Sequence, residues 1–160
     1  MARFHPSNKT KVVIAPAVAS LAAPSGPEIT AGTVLTVAAS TTLAGLVEMS
    51  GFETAPSDIS VPDVGTSFDG MIPGRRAASA ASMTFYDDDA SSTIRTALAE
   101  GTVGYIIIMP YGQTAGRRCE VWPVRVSAVN DSQITSANEA KKFVVAMSVT
   151  ADPSKVAVVP

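Results

Sequence analysis

The chain has 160 residues, of which 46% are hydrophobic and 16% charged, well below the roughly 25% charged residues of an ordinary globular domain. Its length suits one domain with a hydrophobic core, and its formal net charge of −2 excludes the bulk attraction by which basic proteins hold nucleic acid. The single cysteine excludes an internal disulfide and a zinc cluster built on thiolates. The low charge indicates that much of the surface contacts other protein chains.

The sequence shows no sign of membrane insertion or export. No apolar run approaches the roughly 18 residues of a membrane helix. The polar start of the chain lacks the apolar core of a signal peptide, and the lone thiol fits a compartment that does not depend on disulfides. We therefore expect no membrane span.

The first part of the chain predicts short strands separated by irregular segments. Residues 1–11 are polar and predict an N-terminal arm, while residues 11–15 predict a strand. Residues 17–27 hold two prolines and a glycine, so we expect a loop or an extended segment there rather than a helix. Alternating apolar residues predict two further strands, at 32–38 and 46–53.

Residues 54–76 differ in kind from the rest of the chain. Prolines and glycines recur in them and no hydrophobic period is sustained, and a loop of about twenty residues inside a compact domain is usually functional or disordered. The segment nevertheless keeps apolar side chains that a solvated linker would not need. We therefore predict a long interaction loop that orders against a neighbouring molecule through Ile59, Val61, Val64, Phe68, Met71, Ile72, Arg75 and Arg76.

Residues 79–150 predict the β-rich unit to which the rest of the chain is added. Residues 79–86 alternate, so that Met83 and Phe85 share one face of a strand. Residues 91–101 fit a helix of about two to three turns, with an apolar face at i, i+3 and i+4 and a stop at Gly101.

The strands that follow the helix are rich in β-branched and aromatic residues, at 103–109, 120–129 and 142–150. A glycine-containing turn at 111–116 predicts that the first two form a hairpin. The hydrophobic tail at 156–160 is expected to add to a sheet edge, in this chain or in another.

No set of residues indicates a catalytic site. The sole histidine, His5, lies in the N-terminal arm, remote in sequence from any nucleophile. Cys119 follows Arg118, which would lower the pKa of a thiol, but a small semi-buried strand residue is the favoured interpretation. Trp122 lies in an alternating strand and is assigned to the core or to an interface.

Two charged motifs admit more than one interpretation. The carboxylates at 87–89 would suit a hard cation, but the EF-hand pattern is absent and the start of the following helix explains them better. The arginine pair at 75–76 follows a glycine-rich stretch that lacks the Walker signature. We interpret it, like the pair at 117–118, as solvated or inter-subunit charge.

Several segments, taken together and in order, resemble one protein family: the tail tube, or major tail, proteins of long-tailed, non-contractile bacteriophages. The resemblance covers roughly residues 12–153 and is specific as a combination rather than in any one piece. The segments are GTSFDGMIPGRR (65–76), SMTFYDD (82–88), LAEG (98–101), GYIII (104–108) and VWPVRVS (121–127), followed by the ending at 143–153.

The resemblance implies a structural protein with a mainly β fold, a β-sandwich or barrel-like domain over residues 1–160 with one short flanking α-helix. Such subunits assemble into hexameric rings that stack into a hollow tail tube, through which DNA passes during ejection. The long loop and the N-terminal arm would connect successive rings. The resemblance further implies a tape-measure protein in the lumen, tail-tip and tail-terminator partners, assembly in the bacterial host cytoplasm, and no catalytic, cofactor or metal residues.

Two other hypotheses stay open. Another ring-forming virion or secretion-tube component, such as a head–tail joining protein, would form rings that stop at one or two layers. A small hydrolase or metal-dependent enzyme would lose activity on substitution of His5 or Asp88. A tube subunit instead predicts polymerisation without turnover, which separates it from both.

Overall fold

The computed structural model describes residues 10–35, 45–61, 65, 70–87, 92–131 and 141–160. Within these ranges the chain forms ten β-strands and two short α-helices. In chain order they are β1 (Lys11–Ala15), α1 (Gly26–Ala31), β2 (Thr33–Val34), β3 (Leu46–Ser50), β4 (Thr54–Val61), β5 (Gly70–Ala78), β6 (Ala81–Tyr86), α2 (Ser92–Ala97), β7 (Val103–Met109), β8 (Arg118–Asp131), β9 (Lys142–Val149) and β10 (Ser154–Val158).

Eight of the described strands form one antiparallel sheet around β8. The sheet order is β2-β1-β7-β8-β9-β6-β3, and β10 pairs with β8 as well. β8 is 14 residues long, and it pairs along one edge with β7 and along the other with β9 and then β10. The mainly β class and the hairpin that joins β7 to β8 are therefore confirmed.

Both faces of the central strands are buried, which divides the core in two. In β1, Val12 faces one cluster of buried side chains and Val13 faces the other, and β7 and β8 divide in the same way. Alternate side chains of a strand point to opposite faces, so a strand that is covered on both sides needs a continuous apolar run. We call the cluster that contains Trp122 the main core and the cluster that contains Cys119 the second core.

Aromatic contacts link distant strands across the main core. Phe85 of β6 stacks on Phe143 of β9, with 5.2 Å between ring centroids. Phe52, just after β3, makes an edge-to-face contact with Trp122 of β8 at 5.5 Å. Because β9 and β6 lie between β8 and β3 in the sheet order, this contact requires the sheet to curve strongly. The assignment of Trp122 to the core is confirmed, since it is fully buried.

The helix predicted at 91–101 is confirmed in position but is shorter. α2 places Ile94 and Leu98 in the main core, and the amide of Leu98 still donates to the carbonyl of Ile94 after the last helical residue. The chain then turns to Gly101, whose φ of 82° lies in the left-handed region that glycine adopts without strain.

A second helix, α1, begins where a loop was predicted, so that expectation is wrong for its first residues. Pro27 stands in the first turn, where a missing N–H costs no hydrogen bond. The hydroxyl of Ser25 accepts from the amide of Glu28, and the Glu28 carboxylate accepts from the amides of Ser25 and Ala19. These bonds lower the pKa of Glu28 and fix the start of a helix that covers the second core with Ile29.

The prediction of an irregular loop over 54–76 is also wrong for the described residues. They form β4 and β5, which pair with each other as a separate two-stranded sheet. No hydrophobic period marks these strands because neither of their faces is buried in the core, and main-chain pairing alone leaves no such signal.

The strand predicted at 32–38 is shorter in the described part, as β2, and residues 36–38 lie outside the described ranges. The hydrophobic tail adds to a sheet edge of its own chain as β10, with Ala157 opposite Cys119. Of the two outcomes left open for this tail, pairing within the chain is the one observed.

Truncation of Trp122 to alanine should destabilise the subunit severely. The side chain is fully buried against Phe52 and the main core, so the loss is about 3–5 kcal/mol in the free energy of unfolding. Denaturant unfolding followed by circular dichroism measures it. Val156→Ala is the control, because Val156 is 75% exposed and should change stability by less than about 0.5 kcal/mol. Equal effects of the two substitutions would contradict this assignment of the core.

Candidate assembly surfaces

The hairpin of β4 and β5, which we call the arm, extends the ladder of β3 and β6 beyond the body of the protein. Ser50 lies opposite Ser82 in that ladder, and Thr54 lies opposite Ala78 a few residues further on. Eight residues of strand reach about 26 Å at the usual rise. The arm is therefore long in comparison with the width of a small domain.

The arm carries apolar side chains into solvent. Ile59 and Ile72, directly opposite each other, are each 53% exposed, Met71 is 68% exposed, and Val61 is exposed as well. An isolated two-stranded hairpin is only marginally stable in water, and natural sheets rarely leave apolar edges uncovered. These four side chains form an apolar surface that the described part of the chain leaves uncovered.

The base of the arm is held at a defined angle. Gly51 has a φ of 76°, and a side-chain carbon there would lie 2.0 Å from the carbonyl oxygen of Ala80, so only glycine fits where the two strands leave the body. The guanidinium of Arg76 donates to the hydroxyl of Thr54 at 2.9 Å and lies 3.5 Å from the carboxylate of Asp152. These contacts tie the arm to the connection between β9 and β10.

A β-bulge near Gly74 adds twist to the arm. The register shifts between Pro56 and Asp58, and a side-chain carbon on Gly74 would lie 2.2 Å from the carbonyl oxygen of Ser57. A groove of about 570 Å³ separates this part of the arm from the connection between β9 and β10.

The structure brings six of the eight predicted contact residues onto the arm. Ile59, Val61, Met71 and Ile72 lie on its outer part, Arg75 is exposed, and Arg76 lies at its base. The other two, Val64 and Phe68, lie outside the described residues. The role of all eight residues in contacts between subunits stays a prediction.

A second surface, which we call the basic end, consists of Lys11, Tyr111, Gln113 and Arg117. The ammonium of Lys11 donates to the side-chain oxygen of Gln113 at 2.7 Å, and the guanidinium of Arg117 lies 5.7 Å from the ring centroid of Tyr111. Antiparallel pairing of β1 with β7 brings Lys11 beside this turn, although about a hundred residues separate them in sequence. Sequence patterns indicated only Arg117, as part of the charged pair at 117–118, because the sheet topology is what joins the other parts of the basic end to it.

The outer edge of β10 is a third exposed feature. β10 pairs with β8 alone among the described strands, and Val156 and Val158 are exposed along it. The guanidinium of Arg118 donates to the carbonyl oxygen of Lys155 and lies 3.7 Å from the carboxylate of Glu120. The charges on this side are therefore already partly paired within the chain.

Asp87 does not support the hypothesis that the carboxylates at 87–89 bind a metal cation. Its carboxylate lies 2.6 Å from the ammonium of Lys141 and 3.1 Å from the guanidinium of Arg95. A hydrogen bond with Asp131 raises the pKa of Arg95, with a further contribution from the charge of Asp87. Asp87 therefore joins α2 to the start of β9. It lies five residues before α2 begins and is not the cap of that helix, and Asp88 and Asp89 lie outside the described residues.

The remaining candidate residues have structural positions or lie outside the described ranges. Cys119 is fully buried in the second core, and burial raises the pKa of its thiol, with a smaller contribution from Glu120. The strand-residue interpretation of Cys119 is thereby confirmed. His5 lies outside the described residues. Among the residues that the structure describes, no three His, Cys, Asp or Glu side chains cluster to suit a metal ion.

Comparison with protein families identifies the family of this chain. The family model described as phage tail tube protein matches residues 1–160 of the chain. The chain belongs to the phage tail tube protein family. This is a family of structural proteins of the phage tail, so the resemblance seen in the sequence is confirmed. No curated protein sequence is similar enough to count as a match.

Solved structures share the fold of this tail tube protein at low sequence identity. A chain of the anti-feeding prophage baseplate, in a sixfold-symmetrised cryo-EM structure, superposes with a TM-score of 0.63 at 8% identity, covering 99% of each chain. A chain from the tail of an empty GTA (gene transfer agent) particle, refined with C6 symmetry, gives a TM-score of 0.55 at 13% identity, covering 98% of this chain and 100% of that one.

Neither helix in the described part of the tail tube protein is long and apolar enough to cross a membrane.

The thiol of Cys119 should be inert in the native tail tube protein. It is fully buried and its pKa is raised, so a thiol reagent at about pH 8 should react only as fast as the protein opens. Absorbance of the released reagent group measures the rate, and the same protein in denaturant, where reaction should be immediate, is the control. Rapid stoichiometric reaction of the native protein would show an accessible cysteine and revive the catalytic interpretation.

Proposed function

We propose that this protein is the subunit of a phage tail tube, that it forms hexameric rings, and that these rings stack into a hollow tube through which DNA passes during ejection. The arm is the observation that carries the proposal, because it presents four apolar side chains on a hairpin that has no core of its own. Membership of the tail tube family and the sixfold symmetry of the two similar assemblies support it.

The arm serves as the contact between neighbouring rings. A heterologous contact between identical subunits closes into a ring when its rotation allows, and it builds an open filament when it runs from ring to ring. Burial of Ile59, Met71 and their neighbours would supply apolar area to the second type of contact. The N-terminal arm predicted at residues 1–11 is distinct from the hairpin of β4 and β5. We propose it as a further contact between rings of this single-domain subunit.

The tube is a passage and not a binding site for nucleic acid. A net charge of −2 avoids tight attraction of phosphates, which would slow transit of DNA. We propose that a tape-measure protein occupies the lumen during assembly and that tail-tip and tail-terminator proteins close the two ends. Assembly takes place in the bacterial host cytoplasm before the tube becomes part of the virion. Neither catalysis nor a cofactor belongs to this function.

A second candidate function is a ring at the end of a tube rather than along it. The similarity to a chain of the anti-feeding prophage baseplate favours this candidate, because the same fold serves there in a baseplate structure. Such a ring would stop at one or two layers. The family match over the whole chain favours the repeating tube subunit.

Negative-stain electron microscopy of the purified protein, across protein concentration and salt, tests the proposal. Long hollow tubes are expected, if necessary after addition of a tail-tip complex as an initiator. Rings that never stack under any of these conditions would favour the terminal ring, and particles that form neither rings nor tubes would contradict both functions.

Deletion of residues 58–70 should leave a folded subunit that no longer stacks. The described residues of this segment belong to neither core, so circular dichroism and the melting temperature should change little while tubes disappear. Loss of the folded state would show instead that the arm is needed for folding.

A matched variant keeps the arm at full length. Ile59→Ser combined with Ile72→Ser removes one exposed apolar pair and retains the main-chain ladder. Burial of two such side chains at a contact is worth about 3–6 kcal/mol, so this variant should also lose tubes at concentrations at which the wild type forms them. Normal tubes from the double variant would show that stacking needs the full length of the arm but not this apolar pair.

A further inference from the structure

We infer that the arm of one copy docks on the basic end of a neighbouring copy. This inference rests on the proposed function, since it names the surface that receives the arm within a tube. The partner is therefore a second copy of this chain, and the contact combines apolar burial with opposite charge. Both surfaces lie on described residues, Asp58, Ile59 and Ile72 on the arm and Lys11, Tyr111 and Arg117 on the basic end.

The outer arm is acidic as well as apolar. The sequence from Asp58 to Ile72 contains three aspartates and no lysine, arginine or histidine. Asp58 lies on β4 next to the exposed Ile59, and it is itself exposed. No ion pair joins Asp58 to a cation among the described residues. Asp58 therefore places a carboxylate without an ion-pair partner beside the apolar side chains of the outer arm, whereas the cations of the arm, Arg75 and Arg76, lie nearer its base.

The basic end has the opposite charge and the same mixture of chemistry. Lys11 and Arg117 form no ion pair with any carboxylate of the described residues, and residues 110–119 contain two arginines and no acid. The chain before Glu28 likewise contains no acid. Tyr111 is 46% exposed and offers an aromatic face beside these cations. Tyrosine and arginine are the residues that interfaces use most as anchors.

Other exposed apolar sites complement the arm less well. The groove near Val103, where β1 ends and β7 begins, is lined by residues without a charged side chain, so it offers no cation to the aspartate. Val47 stands beside Glu48, which would repel an acidic arm. Along β10, Arg118 and Arg76 already lie near Glu120 and Asp152. The basic end alone, of these four surfaces, joins an exposed aromatic ring to cations that have no carboxylate partner among the described residues.

A charge exchange tests this contact. Asp58→Lys and Arg117→Glu should each raise the critical concentration for tube assembly about tenfold or more, because each creates like charges across the contact. The variant that carries both substitutions should assemble nearly as the wild type does. Sedimentation measures the critical concentration, and circular dichroism checks that each variant is folded, as expected for two exposed residues.

Arg125→Glu is the matched control, because Arg125 is also exposed and forms no ion pair among the described residues. Addition of Asp58→Lys to the Arg125→Glu variant should not restore assembly, whatever effect Arg125→Glu has by itself. If the wild type forms tubes and the single variants at 58 and 117 assemble normally, or if the double variant is no better than the singles, the inference is overturned while the proposed function stands. If the wild type forms no tubes, the proposed function fails first.

A cross-link provides a second measurement that does not depend on charge. Ser60→Cys on the arm and Gln113→Cys on the basic end can be joined by a flexible bifunctional maleimide, while the buried Cys119 is protected. Tubes of the double-cysteine variant should give a ladder of covalent dimers and higher oligomers, and each single-cysteine variant should not. Absence of the ladder from intact tubes would overturn the contact.

Discussion

The structure depends on the main-chain pairing of β8, which holds three other strands at once. β7 lies along one edge, and β9 and β10 follow each other along the other edge, so the peptide groups on both edges of this strand find main-chain partners. Its side chains then divide between two cores, Trp122 in the main core and Cys119 in the second. The path from β8 through β9 and β6 to β3 carries the arm, so the position of every exposed assembly surface is set by this central strand.

The arm departs from the rules that hold in the body. Its strands have no buried face, and its apolar side chains lie in water, which costs free energy in an isolated subunit. Proteins usually blunt or cover such an edge because it promotes aggregation. In a chain that polymerises, the same property serves directed association, because apolar surface is buried only when the next copy arrives. The unusually low charge of the whole sequence is consistent with a protein most of whose surface meets other copies.

Few charges are present, and two groups of them differ in whether they have an ion-pair partner within the subunit. Arg95 lies between Asp87 and Asp131 and against the ring of Phe143, and it joins α2 to the ends of β6, β8 and β9. Such partly buried pairs are compensated within the subunit and fix its shape. The cations of the basic end and the carboxylate of Asp58 have no such partner among the described residues, so their electrostatic energy is available for association between copies. In the proposed contact, the charges that lack a carboxylate or cation partner within the subunit are the ones that meet a second copy.

Local patterns in the sequence determined the mainly β class, α2 and the burial of alternate residues in β6 and β9, because each follows from hydrophobic periodicity within one segment. The glycine-containing turn likewise determined the hairpin of β7 with β8. The same patterns missed α1, since proline and glycine near Pro27 hid a capped helix start, and they mistook the arm for a loop, since strands without a buried face have no period. The basic end and the curvature that brings Phe52 to Trp122 required the tertiary structure. Residues such as Lys11 and Gln113 are joined only by long-range strand pairing, and no local propensity encodes which strands become neighbours in a sheet.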